Sequence, residues 1–119
     1  ARPGRPPLTS AQKLVCGRLL MHRPSRRALL DSKELALTPK AVALLEYMMT
    51  HPDELLTRNR LLDSVWGWDY PAGTRTVDTR IAERRRALGD DPDDPRYIET
   101  VHGEGYRFVG EVEGTGGGR

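Results

Sequence analysis

The sequence is short of the residues that most protein chemistry requires. Its one cysteine, Cys16, forms no internal disulfide. Neither that thiol nor the scattered His22, His51 and His102 complete a zinc site. No spacing matches a serine-hydrolase elbow or a zinc-protease helix. Asp78 and Glu83, five apart on a helical pattern, point to different faces and make no acid–base pair. No catalytic residue, metal site or cofactor is therefore expected, and the chain is not read as an enzyme. No apolar run approaches the ~20 residues that cross a bilayer, and Ala1–Lys13 has no apolar stretch suited to a signal peptide. Nineteen basic and seventeen acidic residues leave only +2, so total charge does not announce a nucleic-acid partner. A chain of 119 residues with 37% hydrophobic residues and a mean hydropathy of −0.61 is expected to form one small soluble domain. The lone thiol fits a cytoplasmic location.

Residues 1–12, rich in proline and arginine, read as a linker or an expression remnant, 13–112 as the folded domain and 113–119 as a flexible tail. The chain does not start with Met, and a further upstream piece is expected. Short apolar runs at Leu14–Cys16, Leu19–Met21, Ala28–Leu30 and Leu35–Leu37, separated by turn residues, predict a four-stranded antiparallel sheet. Thr38-Pro39 opens a helix: threonine caps the N-terminus, and proline at the first helical position lacks only an amide that would go unpaired. Thr57 caps a second helix from Arg58 to about Trp66, ended by Gly67. A third helix runs from about Arg75 to Leu88 and closes at Gly89. Residues Asp90–Asp94 form an acidic loop, read as a soluble turn. Tyr97–Val101 and Tyr106–Val109 alternate about a glycine-containing turn and predict a β-hairpin. The Gly-x-Gly at 103–105 lacks the third glycine and following helix of a dinucleotide site, and is read as a tight turn.

The third helix carries the informative chemistry. At 100° per residue Val77, Ile81 and Leu88 share one face. Arg75, Thr76, Thr79, Ala82, Glu83 and Arg86 take the opposite one, with Arg80 and Arg85 on the flanks. Five arginines against Asp78 and Glu83 give this segment a local +3. Guanidinium forks grip phosphates and guanine edges at two points, and short threonines allow close approach to a groove floor. With a helix–turn–helix-like pair before it and a hairpin after it, the segment points to DNA contact. Trp66, Trp68 and Tyr70 surround the loop before this helix; such a cluster is ordinarily core, but the loop is long enough for part of it to offer a protein-docking surface.

Five blocks, Leu37-Thr-Pro-Lys40, Val65-Trp-Gly67, Thr74-Arg-Thr-Val-Asp78, Leu88-Gly-Asp-Asp-Pro92 and Thr100-Val-His-Gly-Glu-Gly-Tyr-Arg107, occur in order over about Leu14–Val109. Together they resemble the C-terminal effector domain of OmpR/PhoB-type response regulators. The resemblance implies an α+β winged helix-turn-helix: an N-terminal four-stranded antiparallel sheet, three helices and a C-terminal β-hairpin wing. It implies sequence-specific binding of double-stranded DNA at direct repeats as a tandem dimer. It also implies an upstream receiver domain phosphorylated by a sensor histidine kinase, and contact with RNA polymerase through loop 68–74. Carried over by position, Arg75–Leu88 is the recognition helix. Thr76, Thr79 and Glu83 fall where bases or nearby backbone are read, and Arg80, Arg85 and Arg86 where phosphates are gripped. Arg58, Trp66 and Thr100 match backbone-contacting positions, and His102 matches the wing residue that enters the minor groove. Four residues depart from the pattern. Glu83 stands for a basic or polar residue, Arg84 for a core leucine, His102 for an arginine, and Ala41 for the glutamate of a capping box. Arg84, sharing the apolar face, is expected to snorkel outward or find an acid partner. The alternative function is a winged-helix protein-interaction module with weakened DNA binding.

Overall fold

The N-terminal part folds as β1 (Ala11–Cys16), β2 (Leu19–His22), β3 (Arg27–Leu30) and β4 (Lys33–Glu34), joined by tight turns into an antiparallel sheet. The computed structural model describes residues 8–67, 73–91 and 93–117. Pairing Leu14 with Met21, Cys16 with Leu19 and Met21 with Ala28 puts the buried residues of the first three strands on one face. β4 begins earlier than the apolar run Leu35–Leu37 suggests. Asp31 and Ser32 both adopt positive φ, +52° and +67°, and make a two-residue turn that sets Lys33 directly opposite Leu30. Leu35 and Leu37, beyond the strand, pack as partly buried residues against the core.

The expected linker and tail boundaries both move. Glu113–Gly117 forms a strand, β8, antiparallel to β1, so the sheet has five strands in the order β4-β3-β2-β1-β8. The physical reason is the open edge of β1, whose backbone N–H and C=O groups need partners; the glycine-rich segment supplies them despite its weak strand composition. At the other end Ala11 is already buried in β1, and the Arg23 guanidinium donates to the carbonyls of Leu8 at 2.9 Å and Ala11 at 3.1 Å.

Helix α1 (Pro39–Thr50) begins where its cap signal lies: the Thr38 hydroxyl oxygen accepts from the Ala41 amide at 3.2 Å. Ala41, Val42, Leu44, Leu45, Met48 and Met49 are buried, because α1 packs against both other helices and the hairpin. β5 (Leu56–Thr57) leads into α2 (Arg58–Val65), capped by Thr57 on the Arg60 amide at 3.1 Å. Helix α3 (Arg75–Leu88) ends at Gly89 in the left-handed conformation. The hairpin of β6 (Ile98–Val101) and β7 (Gly105–Phe108) pairs with β5 in the order β5-β7-β6.

The acidic loop proves to be a backbone clamp as much as a polar turn. The Asp90 carboxylate accepts from the amides of Arg96 (2.8 Å), Tyr97 (3.2 Å) and Ile98 (2.9 Å), and so sets the start of β6 relative to the end of α3.

β5 lies so close to the hairpin that a Cβ on Gly105 would meet the Leu56 carbonyl oxygen at 2.1 Å. The obstacle is backbone, which cannot swing aside. Gly105→Ala is expected to lower stability by at least about 1–3 kcal/mol, measured by urea unfolding, whereas Gly103→Ala meets no atom within 4 Å and is expected to cost less, only the strain of its left-handed φ of +78°.

Candidate nucleic-acid interface

Along α3 the burial pattern divides the helix. Val77, Ile81, Arg84 and Leu88 are buried, while Arg75, Thr79, Ala82 and Arg86 are exposed, at spacings of four, three and four. Those spacings keep all four exposed residues on one stripe, about 16 Å long at 1.5 Å per residue. Thr76, Arg80, Glu83 and Arg85 lie between the two sides.

Directed polar contacts hold this rotation. Asp78 accepts from the Tyr106 hydroxyl of β7 at 2.6 Å and from Arg58 Nε of α2 at 3.0 Å. Burial first, and then the bond to Asp78, push the Tyr106 phenol up from its ordinary value, so it remains a donor at neutral pH. Arg85 donates to the Ile98 carbonyl at 3.1 Å and the Thr100 hydroxyl at 2.5 Å, with its guanidinium carbon 5.8 Å from the centre of the Tyr106 ring. Arg58, Arg85 and Thr100 are thus brought together with α3 and the hairpin. Asp78 and Tyr106, absent from the sequence-derived site, join them; the signal was a tyrosine on an alternating strand, whose hydroxyl needs a partner when its ring is buried.

The remaining residues sit apart or are otherwise engaged. Arg75 and Arg86 are exposed, with no ion-pair or hydrogen-bond partner for their side chains among the described residues. The Thr79 hydroxyl donates to the Arg75 carbonyl at 3.1 Å. Arg80 Nη1 donates to Glu83 Oε1 at 3.2 Å, and Thr38 Oγ1 donates to the same oxygen at 3.5 Å. Trp66 ends α2, with Lys40 Nζ 6.0 Å from its ring centre and bonded to the Val65 carbonyl at 3.0 Å. His102 is exposed in the turn between β6 and β7. Residues 68–72, and with them most of loop 68–74, Trp68 and Tyr70, lie outside the described residues.

Arg84 corrects an expectation. It neither snorkels outward nor meets an acid. It is fully buried, and its Nε and Nη2 both donate to the Ala41 carbonyl of α1, at 3.2 and 2.8 Å, while Nη1 has no partner among the described residues. A helix carbonyl has a second lone pair to offer, and α1 covers the route to water.

Residues 32–108 match the family described as "Transcriptional regulatory protein, C terminal". The chain belongs to this family. Among its relatives is the alkaline phosphatase synthesis transcriptional regulatory protein SphR of Synechococcus elongatus, 42% identical over 82 residues, which are 69% of this chain and 32% of SphR. Among solved structures, the DNA-binding domain of RstA from Klebsiella pneumoniae, in complex with RstA box, has a TM-score of 0.74 at 28% identity, covering 82% of this chain and 97% of that one. The response regulator DrrB, an OmpR/PhoB homolog of Thermotoga maritima, has a TM-score of 0.75 at 33% identity, covering 83% of this chain and 45% of DrrB. The fold is therefore the winged helix-turn-helix of OmpR/PhoB-type DNA-binding domains, with β6–β7 as the wing. The chain spans less than half the length of the curated relatives it matches. Those relatives are named as transcriptional regulators, not enzymes.

Within this family fold Arg84 is a costly residue. Desolvation pushes its guanidinium down to about 9, against the opposing attraction of Glu83, and even there it remains a cation at neutral pH. A buried charge whose hydrogen bonds among the described residues go to a single carbonyl is poorly compensated. Arg84→Met, which keeps most of the volume, is expected to raise stability by about 1–3 kcal/mol, seen as a higher denaturation midpoint in urea with an unchanged circular dichroism spectrum.

Proposed function

We propose that this chain is the DNA-binding output domain of a bacterial two-component response regulator, with α3 as the recognition helix in the major groove. The observation that carries the reading is the exposed stripe Arg75–Thr79–Ala82–Arg86 on a helix whose other side is anchored in the core. Arg75 and Arg86, at the ends, grip phosphates and set register; Thr76, Thr79 and Ala82 lie nearest the base edges. Arg58, Trp66 and Thr100 approach the backbone. Arg80 and Arg85 reach phosphates from the flanks once their internal partners yield. His102 leads the wing into the adjacent minor groove, where it offers fewer hydrogen-bond donors than an arginine would.

The same reading assigns the partners. The domain binds direct repeats as a tandem dimer, with half-sites one helical turn apart, about 10–10.5 base pairs. An upstream receiver, phosphorylated by a sensor histidine kinase, controls it, and loop 68–74 contacts RNA polymerase, all in the cytoplasm. Among the described residues no helix is long and apolar enough to cross a membrane. The competing reading, a protein-interaction module with weakened DNA binding, draws on the partial neutralisation of α3 by Glu83.

Fluorescence anisotropy on duplexes chosen by in vitro selection separates the two. With four to six phosphates neutralised, log affinity against log salt is expected to slope at about −4 to −5. Arg75→Ala with Arg86→Ala is expected to weaken all sequences alike and flatten that slope by about 2. No binding to any duplex, or a slope near zero, would overturn the reading.

A further inference from the structure

Glu83 occupies a position where the family pattern puts a base-facing residue, yet its carboxylate is turned back onto the protein. One oxygen, Oε1, takes the Thr38 hydroxyl proton at 3.5 Å and an Arg80 N–H at 3.2 Å. The Thr38 hydroxyl then bridges the two helices, because its oxygen also accepts from the Ala41 amide at the start of α1. The first turn of α1 contains no acidic residue of its own. Glu83 delivers from α3 the negative charge that the positive end of α1 favours. Two attractions, a helix terminus and a guanidinium, hold the carboxylate away from the groove, and three-quarters of the side chain is covered. Arg80 is held in turn by the bond from its Nη1 to Glu83, with its Nε buried and without a hydrogen-bond partner among the described residues.

We infer that Glu83 is a resident counter-ion that restrains the attraction of α3 for phosphate, rather than a reader of bases. The inference rests on the DNA-binding reading above. A carboxylate beside the groove-facing stripe repels every phosphate equally and keeps one arginine occupied. Its effect falls hardest on binding that depends on charge alone, so it widens the gap between an operator and mixed-sequence DNA. Base choice then belongs to Thr76, Thr79 and Ala82, of which Thr79 and Ala82 are exposed where Glu83 is not.

The test is Glu83→Gln in the full chain, which keeps a hydrogen-bond acceptor for Thr38 and removes the charge. Wild type, E83Q, Arg80→Ala and the double variant are titrated against a selected operator and a mixed-sequence duplex over a range of salt. E83Q is expected to bind mixed sequence roughly fivefold more tightly at low salt, with a slope steeper by about 0.9, one extra phosphate. Its operator preference narrows, and in the Arg80→Ala background the steeper slope is lost while a smaller gain in affinity, from the lifted repulsion, remains. If E83Q instead leaves mixed-sequence affinity unchanged or weaker, or loses preference for one base at one operator position, Glu83 is a reader and the inference falls while the DNA-binding reading stands. Failure of the wild-type chain to bind any duplex overturns both.

Discussion

Three structural elements meet at the carboxylate of Asp78. It sits on α3, takes the Tyr106 hydroxyl of the wing and Arg58 of α2, and leaves the helix little freedom to roll. Burial of Val77, Ile81 and Leu88 pulls α3 onto the core, but apolar attraction has no direction and tolerates rotation. Hydrogen bonds supply the direction. Arg85 adds a second tie near the other end of the helix, to the Ile98 carbonyl and Thr100 hydroxyl. With both ties in place, the side of α3 that carries Arg75, Thr79, Ala82 and Arg86 has only one way to face.

The same ties consume charge. Of the five arginines on α3, Arg80 is paired with Glu83, Arg84 lies under α1, and Arg85 is bound to the wing. Only the two at the ends of the exposed stripe stand ready to meet a phosphate. The +3 of the segment therefore overstates its reach, and most of its guanidinium groups act as structural members of the fold. Arg84 is the extreme case: a cation placed where an apolar side chain would serve, retained at a cost in desolvation.

Local chemistry made much of this legible in the sequence. Thr38-Pro39, Thr57 and Gly89 mark helix ends because caps act on backbone groups a few residues away, and α3 runs over Arg75–Leu88 as its periodicity predicts. The two sides of α3 follow from 100° per residue. What escaped was decided across the fold. Ala41 accepts from Arg84 43 residues later, and no pattern announces that a carbonyl will face a guanidinium. Periodicity alone puts Glu83 on the outer face, whereas it lies between the two sides, because its bond to Thr38 depends on how α1 and α3 meet. β8 escaped because Gly114, Gly116 and Gly117 have little strand preference, and the open edge of β1 outweighs that weakness.

The orientation of α3 toward DNA is tested most directly by mapping amide chemical shifts as a selected duplex is titrated into the chain. The account predicts the largest changes at Arg75, Thr79, Ala82 and Arg86, with a second group around His102, and little change in β2 and β3. Changes concentrated in the N-terminal sheet, with α3 unaffected, would contradict it.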